Sequence, residues 1–133
     1  MIRYVNVRSR TRNEFVDISD KVQEVIKEAG ITTGICYIYV PHTTAGITIN
    51  EGADTAVQRD IQSALNKLIP FEADYHHSEG NADAHIKSTL VGVSKAVLIE
   101  EGKLLLGTWQ AVYFCEFDGP RHRRVAIKIV ETR

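Results

Sequence analysis

Cysteine is scarce in this chain, and charge of either sign is not in excess. Only two of its 133 residues are cysteine, Cys36 and Cys115. They lie far apart inside apolar runs, so they read as small buried hydrophobes rather than a metal or redox pair, and a reducing compartment, the cytoplasm, is expected. Sixteen basic and 17 acidic side chains leave a formal net charge of −1. That balance excludes non-specific nucleic-acid binding, which draws its affinity from many Lys and Arg contacts to phosphates. No run reaches the ~18 apolar residues of a membrane helix, and the polar, basic residues 1–12 hold no signal-peptide core. HExxH, CxxC and EF-hand patterns are all missing, so no ready-made metal motif is present. The length excludes a TIM barrel, which takes about 250 residues, and a two-domain dinucleotide enzyme, leaving one domain. With 44% hydrophobic and 25% charged residues, the composition is that of an ordinary globular protein rather than a disordered or fibrous one.

What is present is a sequence of well-punctuated elements. Ile2, Tyr4 and Val7 among polar residues predict an edge strand. Asp20 and Gln23 have capping-box spacing, and Val22, Val25, Ile26 and Ala29 recur at helical period until Gly30. Residues 34–40 (GICYIYV) predict a strand buried on both faces and ended by Pro41. Residues 46–50 (GITIN) alternate like a half-buried strand, and the two are expected to form a hairpin-like pair around HTTA. A second helix, capped by Asp54 or Thr55, carries Val57, Ile61, Ala64, Leu65 and Leu68 on one stripe and stops at Pro70. Residues 71–81 (FEADYHHSEGN) show no period and predict a loop long enough to be functional. A short third helix is expected over about 82–91, with Ile86 and Leu90 inward and His85, Ser88 and Thr89 on another side. Strands at 96–100, 103–106, 109–117 and 124–131, broken at Gly102, Gly107 and Asp118-Gly119-Pro120, predict an antiparallel meander.

The five histidines invite chemistry. His42 follows Pro41, His76 and His77 sit in the long loop, and His85 opens the third helix. Histidine is the commonest metal ligand and the usual acid or base near neutral pH, so three converging imidazoles would make a metal or proton-transfer site. Unrelated polar loop residues are the plainer alternative. In HTTAG (42–46), the Thr43 and Thr44 hydroxyls and the backbone beside Gly46 can cradle an anion, or can simply satisfy their own turn. Glu51 can orient a histidine or act as a base, and can equally be solvated. Asn81 opens NADAHIKS, where helix amides and Lys87 favour a phosphate or carboxylate; a plain Asn cap is the other reading. Trp109 in GTWQ reads as a core aromatic and Gln110 as turned toward a ligand. Arg121 and Arg123 in DGPRHRR suit bidentate phosphate recognition, or a solvated turn.

Taken in order, PHTTAGITINE, the stretch from DYHH to GNADAHIKSTLVG, GKLLLGTWQ and EFDGPRHRR closely resemble the YjbQ-like family, also described as secondary thiamine-phosphate synthase enzymes. The resemblance runs over nearly the whole chain. It implies a compact α+β fold built on an antiparallel β-sandwich with a few helices, assembled as a homotrimer. It also implies a site containing His42, His77 and His85, with His77 rather than His76 as the loop histidine. Nearby family positions match Thr43, Thr44, Glu51, Asn81, Lys87, Ser88, Thr108, Gln110 and Arg123, while Arg121 lies in a turn that varies between branches. The implied activity joins hydroxymethylpyrimidine pyrophosphate to thiazole phosphate with loss of pyrophosphate, as a secondary reaction of a family whose physiological role is poorly defined. Lys87 and Arg123 are then expected on the phosphates, and the three imidazoles on a divalent ion, zinc or magnesium, or on the leaving pyrophosphate. Because the dedicated synthases are TIM barrels, two other classes stand beside this one. One is a metal-dependent hydrolase or lyase acting on a small phosphorylated substrate, with Glu51 as base. The other is a non-catalytic phosphate- or small-molecule-binding trimer. None of the three requires a nucleic acid or a membrane.

Overall fold

Period-two burial organises most of the chain. The computed structural model describes residues 1–133. It contains β1 (Ile2–Arg8), β2 (Glu14–Asp17), α1 (Ser19–Ala29), β3 (Gly34–Tyr39), β4 (Ala45–Glu51), α2 (Thr55–Leu68), α3 (Ala82–Val91), β5 (Ser94–Glu100), β6 (Lys103–Leu104), β7 (Gln110–Glu116) and β8 (His122–Glu131). The strands form two sheets, β1-β8-β3-β5-β6 and β2-β7-β4. Every pairing is antiparallel. The class is therefore α+β, with three helices and two antiparallel sheets.

Val5 and Val7, Cys36 and Ile38, Val97 and Ile99, and Val125 and Ile127 alternate with exposed or half-buried neighbours. They meet Ala45, Ile47, Val112 and Phe114 of the second sheet and Val22, Val25 and Ile26 of α1 in one 17-residue core. The reverse face of the larger sheet carries Tyr4, Tyr37, Tyr39 and Leu98 and is exposed. No helix is long and apolar enough to cross a membrane.

Several local expectations give way to tertiary structure. The strand read as buried on both faces alternates instead, with Tyr37 at 46% and Tyr39 at 50% exposure. HTTA is not a hairpin: β3 already has β8 on one edge and β5 on the other, so the chain crosses to the second sheet, where β4 pairs with β7. The last third is not a meander, because only β5 and β6 form a hairpin; β7 enters the second sheet and β8 returns between β1 and β3. The capping box at Asp20 does not form. The helix starts two residues earlier, with Ile18 in the cap position; Asp17 Oδ1 accepts the Ser19 amide at 2.9 Å, and the Gln23 amide group binds Gly102 O and Leu104 N at 2.9 and 3.0 Å. Trp109, expected in the core, is 66% exposed.

Candidate functional site

Pro41 ends β3, and the next residues cross between sheets at the point where α3 docks. That docking is polar and close. Ser88 Oγ donates to Ala45 O at 2.7 Å, and the Ile47 amide donates to Gly92 O at 3.0 Å. Between the 42–44 segment, the start of α3 and the Asp118–Arg123 turn lies a cavity of about 580 Å³. His42, Thr43, Thr44, Asn81, His85, Arg121 and Arg123 line it, together with Tyr39, Val40, Pro41, Glu79, Val93 and Asp118. Seven residues singled out from the sequence thus converge from three separate segments.

His42 is half-buried, and its Nε2 lies 3.1 Å from both the Arg124 amide N–H and the Arg124 carbonyl oxygen, accepting from the first or donating to the second according to its tautomer. Burial first, and the Arg123 charge second, hold its pKa below the ordinary value of 6.5, so the ring is neutral near pH 7. His85 lies edge-to-face against His77, with ring centroids 5.2 Å apart. His77 does not reach the main cavity; it lines an adjoining hollow with Asp74, Tyr75, His76, His85 and Ile86. The expected three-imidazole set is therefore split within the chain, because His42 and His77 line different hollows that share only His85 among the three. No group of three or more His, Cys, Asp or Glu side chains comes together that could hold an ion, so a single chain does not form the three-ligand set of a zinc site.

Arg123 is 6% exposed and Glu116 is 0% exposed. Arg123 Nε donates to Glu116 Oε1 at 2.9 Å, its Nη2 donates to Glu116 Oε2, and the same Nη2 donates to Thr44 Oγ1 at 2.9 Å. Ser9 Oγ at 2.6 Å and the Asp118 amide at 3.0 Å also donate to Glu116. Burial alone would raise the Glu116 pKa; these donors outweigh it and hold the carboxyl below its ordinary range. Arg123 is thus a fastening between β7, β8 and Thr44, already paired, rather than a free hand for phosphate. Arg121 is exposed, with Nη2 on Asp118 Oδ2 at 2.9 Å and Nε on Asp118 O at 2.8 Å. Asn81 Nδ2 donates to the same Asp118 Oδ2 at 2.9 Å, while Asn81 Oδ1 is buried without a partner. Asn81 holds the N-cap position of α3 but makes no side-chain cap bond.

The other expected residues lie elsewhere. Lys87 is buried outside the cavity, with Nζ 2.6 Å from Asn66 Oδ1, 3.2 Å from Asn13 Oδ1 and 3.7 Å from Asp83 Oδ2. Asp83 is gripped by Arg12 at 2.9 and 3.0 Å, so Lys87 belongs to a buried polar anchor of α3 and does not reach a phosphate. Ser88 fastens α3 to Ala45 and also lines, with His42, Thr43 and His85, a second hollow beside the cavity. Glu51 stands at the far end of β4, about 20 Å from Ala45 at the rise of an extended strand. Its Oε2 accepts the Ala53 and Asp54 amides at 2.9 and 3.2 Å, closing the turn into α2. Gln110 pairs with Glu51 across the sheet and accepts the Gly107 amide at 2.8 Å, with exposed Thr108 between. Glu51, Thr108 and Gln110 thus form a second group remote from the histidines in the same chain. Sequence reasoning missed Asp118 and Glu79 on the cavity wall and Glu116 behind it. A charged Glu116 inside the apolar run YFCEF was the one available signal.

A family model described as UPF0047 protein YjbQ-like matches residues 3–132. The chain belongs to this family. A UPF0047 protein of Methanocaldococcus jannaschii is 51% identical over 130 residues, covering 98% of this chain and 94% of that one. UPF0047 protein YugU of Bacillus subtilis is 47% identical over 131 residues, covering 98% and 99%. Among solved structures, a YjbQ/UPF0047 family protein of Clostridium acetobutylicum is similar with a TM-score of 0.94 at 48% identity, over 96% of this chain and 99% of that one. A YbjQ-like protein of unknown function from Sulfolobus solfataricus has a TM-score of 0.94 at 32% identity, over 99% and 97%. The fold and the family are shared along essentially the full length.

Proposed function

We propose that the cavity between the His42–Thr44 segment and α3 binds a small phosphorylated or anionic substrate and that His42 and His85 move protons on it. One observation carries this reading: a single cavity of about 580 Å³ gathers His42, Thr43, Thr44, Asn81, His85 and Arg121 from separated segments. That volume suits a small molecule. Neutral His42 serves as a base or acceptor, Arg121 and the Thr43 hydroxyl serve an anionic group, and His85 serves as the proton donor. Joining hydroxymethylpyrimidine pyrophosphate to thiazole phosphate would be a slow secondary reaction of such a site, with Arg121 meeting only part of the charge of departing pyrophosphate and His85 supplying a proton. Single turnover with the purified protein and both substrates tests it. Thiamine phosphate is expected from the unaltered chain and not from the His85→Ala variant; equal formation by both would sink the catalytic reading. A zinc-dependent hydrolase would need donors beyond the His77–His85 pair.

The same reading includes an assembly. The two sheets act as layers of a sandwich, and three copies associate through the uncovered face of the larger sheet. Tyr4, Tyr37, Tyr39 and Leu98 support this as an exposed apolar face of a kind that marks interaction sites. Tyr39 also lines the cavity, so a neighbouring copy seated there would border the site.

A further inference from the structure

Building on the cavity reading above, we infer that the site is made for a substrate carrying one phosphate or carboxylate group, and that Asp118 is the specificity-determining residue that disfavours pyrophosphate. Four formally charged side chains line the cavity, Arg121, Arg123, Glu79 and Asp118, so the two cations are matched by two carboxylates. The Arg123 charge is already met by Glu116, which has no solvent exposure and accepts from Arg123 through both oxygens. Arg121 is the remaining cation, and Asp118 holds it through the 2.9 Å side-chain contact and the 2.8 Å contact to its own carbonyl. Asp118 is not free to leave, because its Oδ2 also holds the Asn81 amide at 2.9 Å and its backbone amide is bound to Glu116. His42 adds no compensating charge, since burial and Arg123 keep it neutral.

A single anionic group can share the exposed face of Arg121 and take hydrogen bonds from the threonine hydroxyls. Each further negative charge meets no further permanent cation, His85 being positive only while it holds the proton it donates, and Glu79 and Asp118 on the same wall repel it. The wall therefore ranks anions by how little charge they bring beyond the first group. A site with two unpaired arginines would rank them the other way. On this view the pyrophosphate-bearing substrate of thiamine phosphate formation is a poor fit, and a phosphate monoester or a carboxylate is the better one.

Calorimetry on the full chain with inorganic phosphate and with pyrophosphate, at matched ionic strength and near-neutral pH, tests the inference. In the unaltered protein, pyrophosphate is expected to bind no tighter than phosphate. In Asp118→Asn, pyrophosphate is expected to gain at least about fivefold over the unaltered protein, and phosphate less. In Arg121→Ala, whose site lies on the surface and leaves the core intact, phosphate is expected to weaken by at least about fivefold. A preference for pyrophosphate in the unaltered protein, no gain in Asp118→Asn, or no loss in Arg121→Ala would each overturn the inference while leaving an anion-binding cavity in place. Binding of neither anion by any of the three proteins would instead overturn the cavity reading on which it rests.

Discussion

Glu116 and Arg123 remain ionised in the interior because each supplies the charge and donors that water would otherwise provide. Removing one partner strands the other. Arg123→Ala is expected to cost about 3 to 5 kcal/mol, and the paired replacement Glu116→Leu with Arg123→Met less than that single change, both read from urea unfolding. The same residues set the acid side of the stability curve. Glu116 and Asp83 have folded pKa values below their ordinary 4.5 and 3.8. In each, burial pushes up and is outweighed, by Arg123, Ser9 and the Asp118 amide for Glu116, and by Arg12 and Lys87 for Asp83. Their contribution is fully present above those ordinary values and is lost as pH falls through the depressed folded ones. His42, lowered from 6.5, has the same sign at a higher pH. Denaturation midpoints are therefore expected to begin falling below about the ordinary His value and to fall more steeply in the carboxylate range; a flat profile through both would contradict these shifts. Proton NMR should show His42 titrating below 6.5, toward the acid side.

Helix α3 shows how an element can be right in kind and wrong in orientation. Its span was legible from Asn81 and the spacing up to Gly92, yet Ile86 and Leu90, expected inward, are exposed, whereas Asp83, Ala84, Lys87 and Ser88 are buried. Apolar spacing misleads here because the docking face is held by specific polar partners, Arg12 on Asp83, Asn66 on Lys87 and Ala45 O on Ser88. Those partners are distant in sequence and invisible to periodicity. Helix α2 was legible from its stripe and the Asp54 cap, which accepts the Ala56 amide at 2.9 Å, but none of its residues is fully buried in the chain. Gly46 is the contact that lets α3 approach β4. A Cβ there would stand 2.7 Å from Gly92 O and 3.1 Å from Val91 Cγ1. Gly46→Val is expected to destabilise the fold by about 1 to 3 kcal/mol in urea titration, and to weaken phosphate binding by shifting His85 away from His42. Stability loss with unchanged phosphate affinity would show that α3 placement does not govern the cavity.

For the molecule as a whole, the uncovered face of the larger sheet is the feature with the clearest consequence. The proposed trimer predicts a light-scattering mass three times the 14.9 kDa of the chain. Tyr37→Asp, on the exposed face and outside the cavity, is expected to reduce that mass to a single chain without loss of strand content by circular dichroism. A single-chain mass for the unaltered protein would remove the assembly. The sequence by itself determined the three helices and most of the strands, though not β2 or the start of α1, and that His42, Thr43, Thr44, Asn81, His85, Arg121 and Arg123 belong to segments with chemical potential. Those are local properties, written in side-chain period, caps and turn formers within a few residues. Only the tertiary structure decided which of them meet. Two sheets with a crossover at HTTA bring His42 to His85 and leave His77 behind it, and send Glu51, Thr108 and Gln110 to the far end of β4. Likewise only the fold revealed that the Arg123 charge is spent on Glu116 and the Lys87 amine on Asn66, Asn13 and Asp83. A side chain's type announces what it can bind; burial and the partners that folding delivers decide what it has left to offer a ligand.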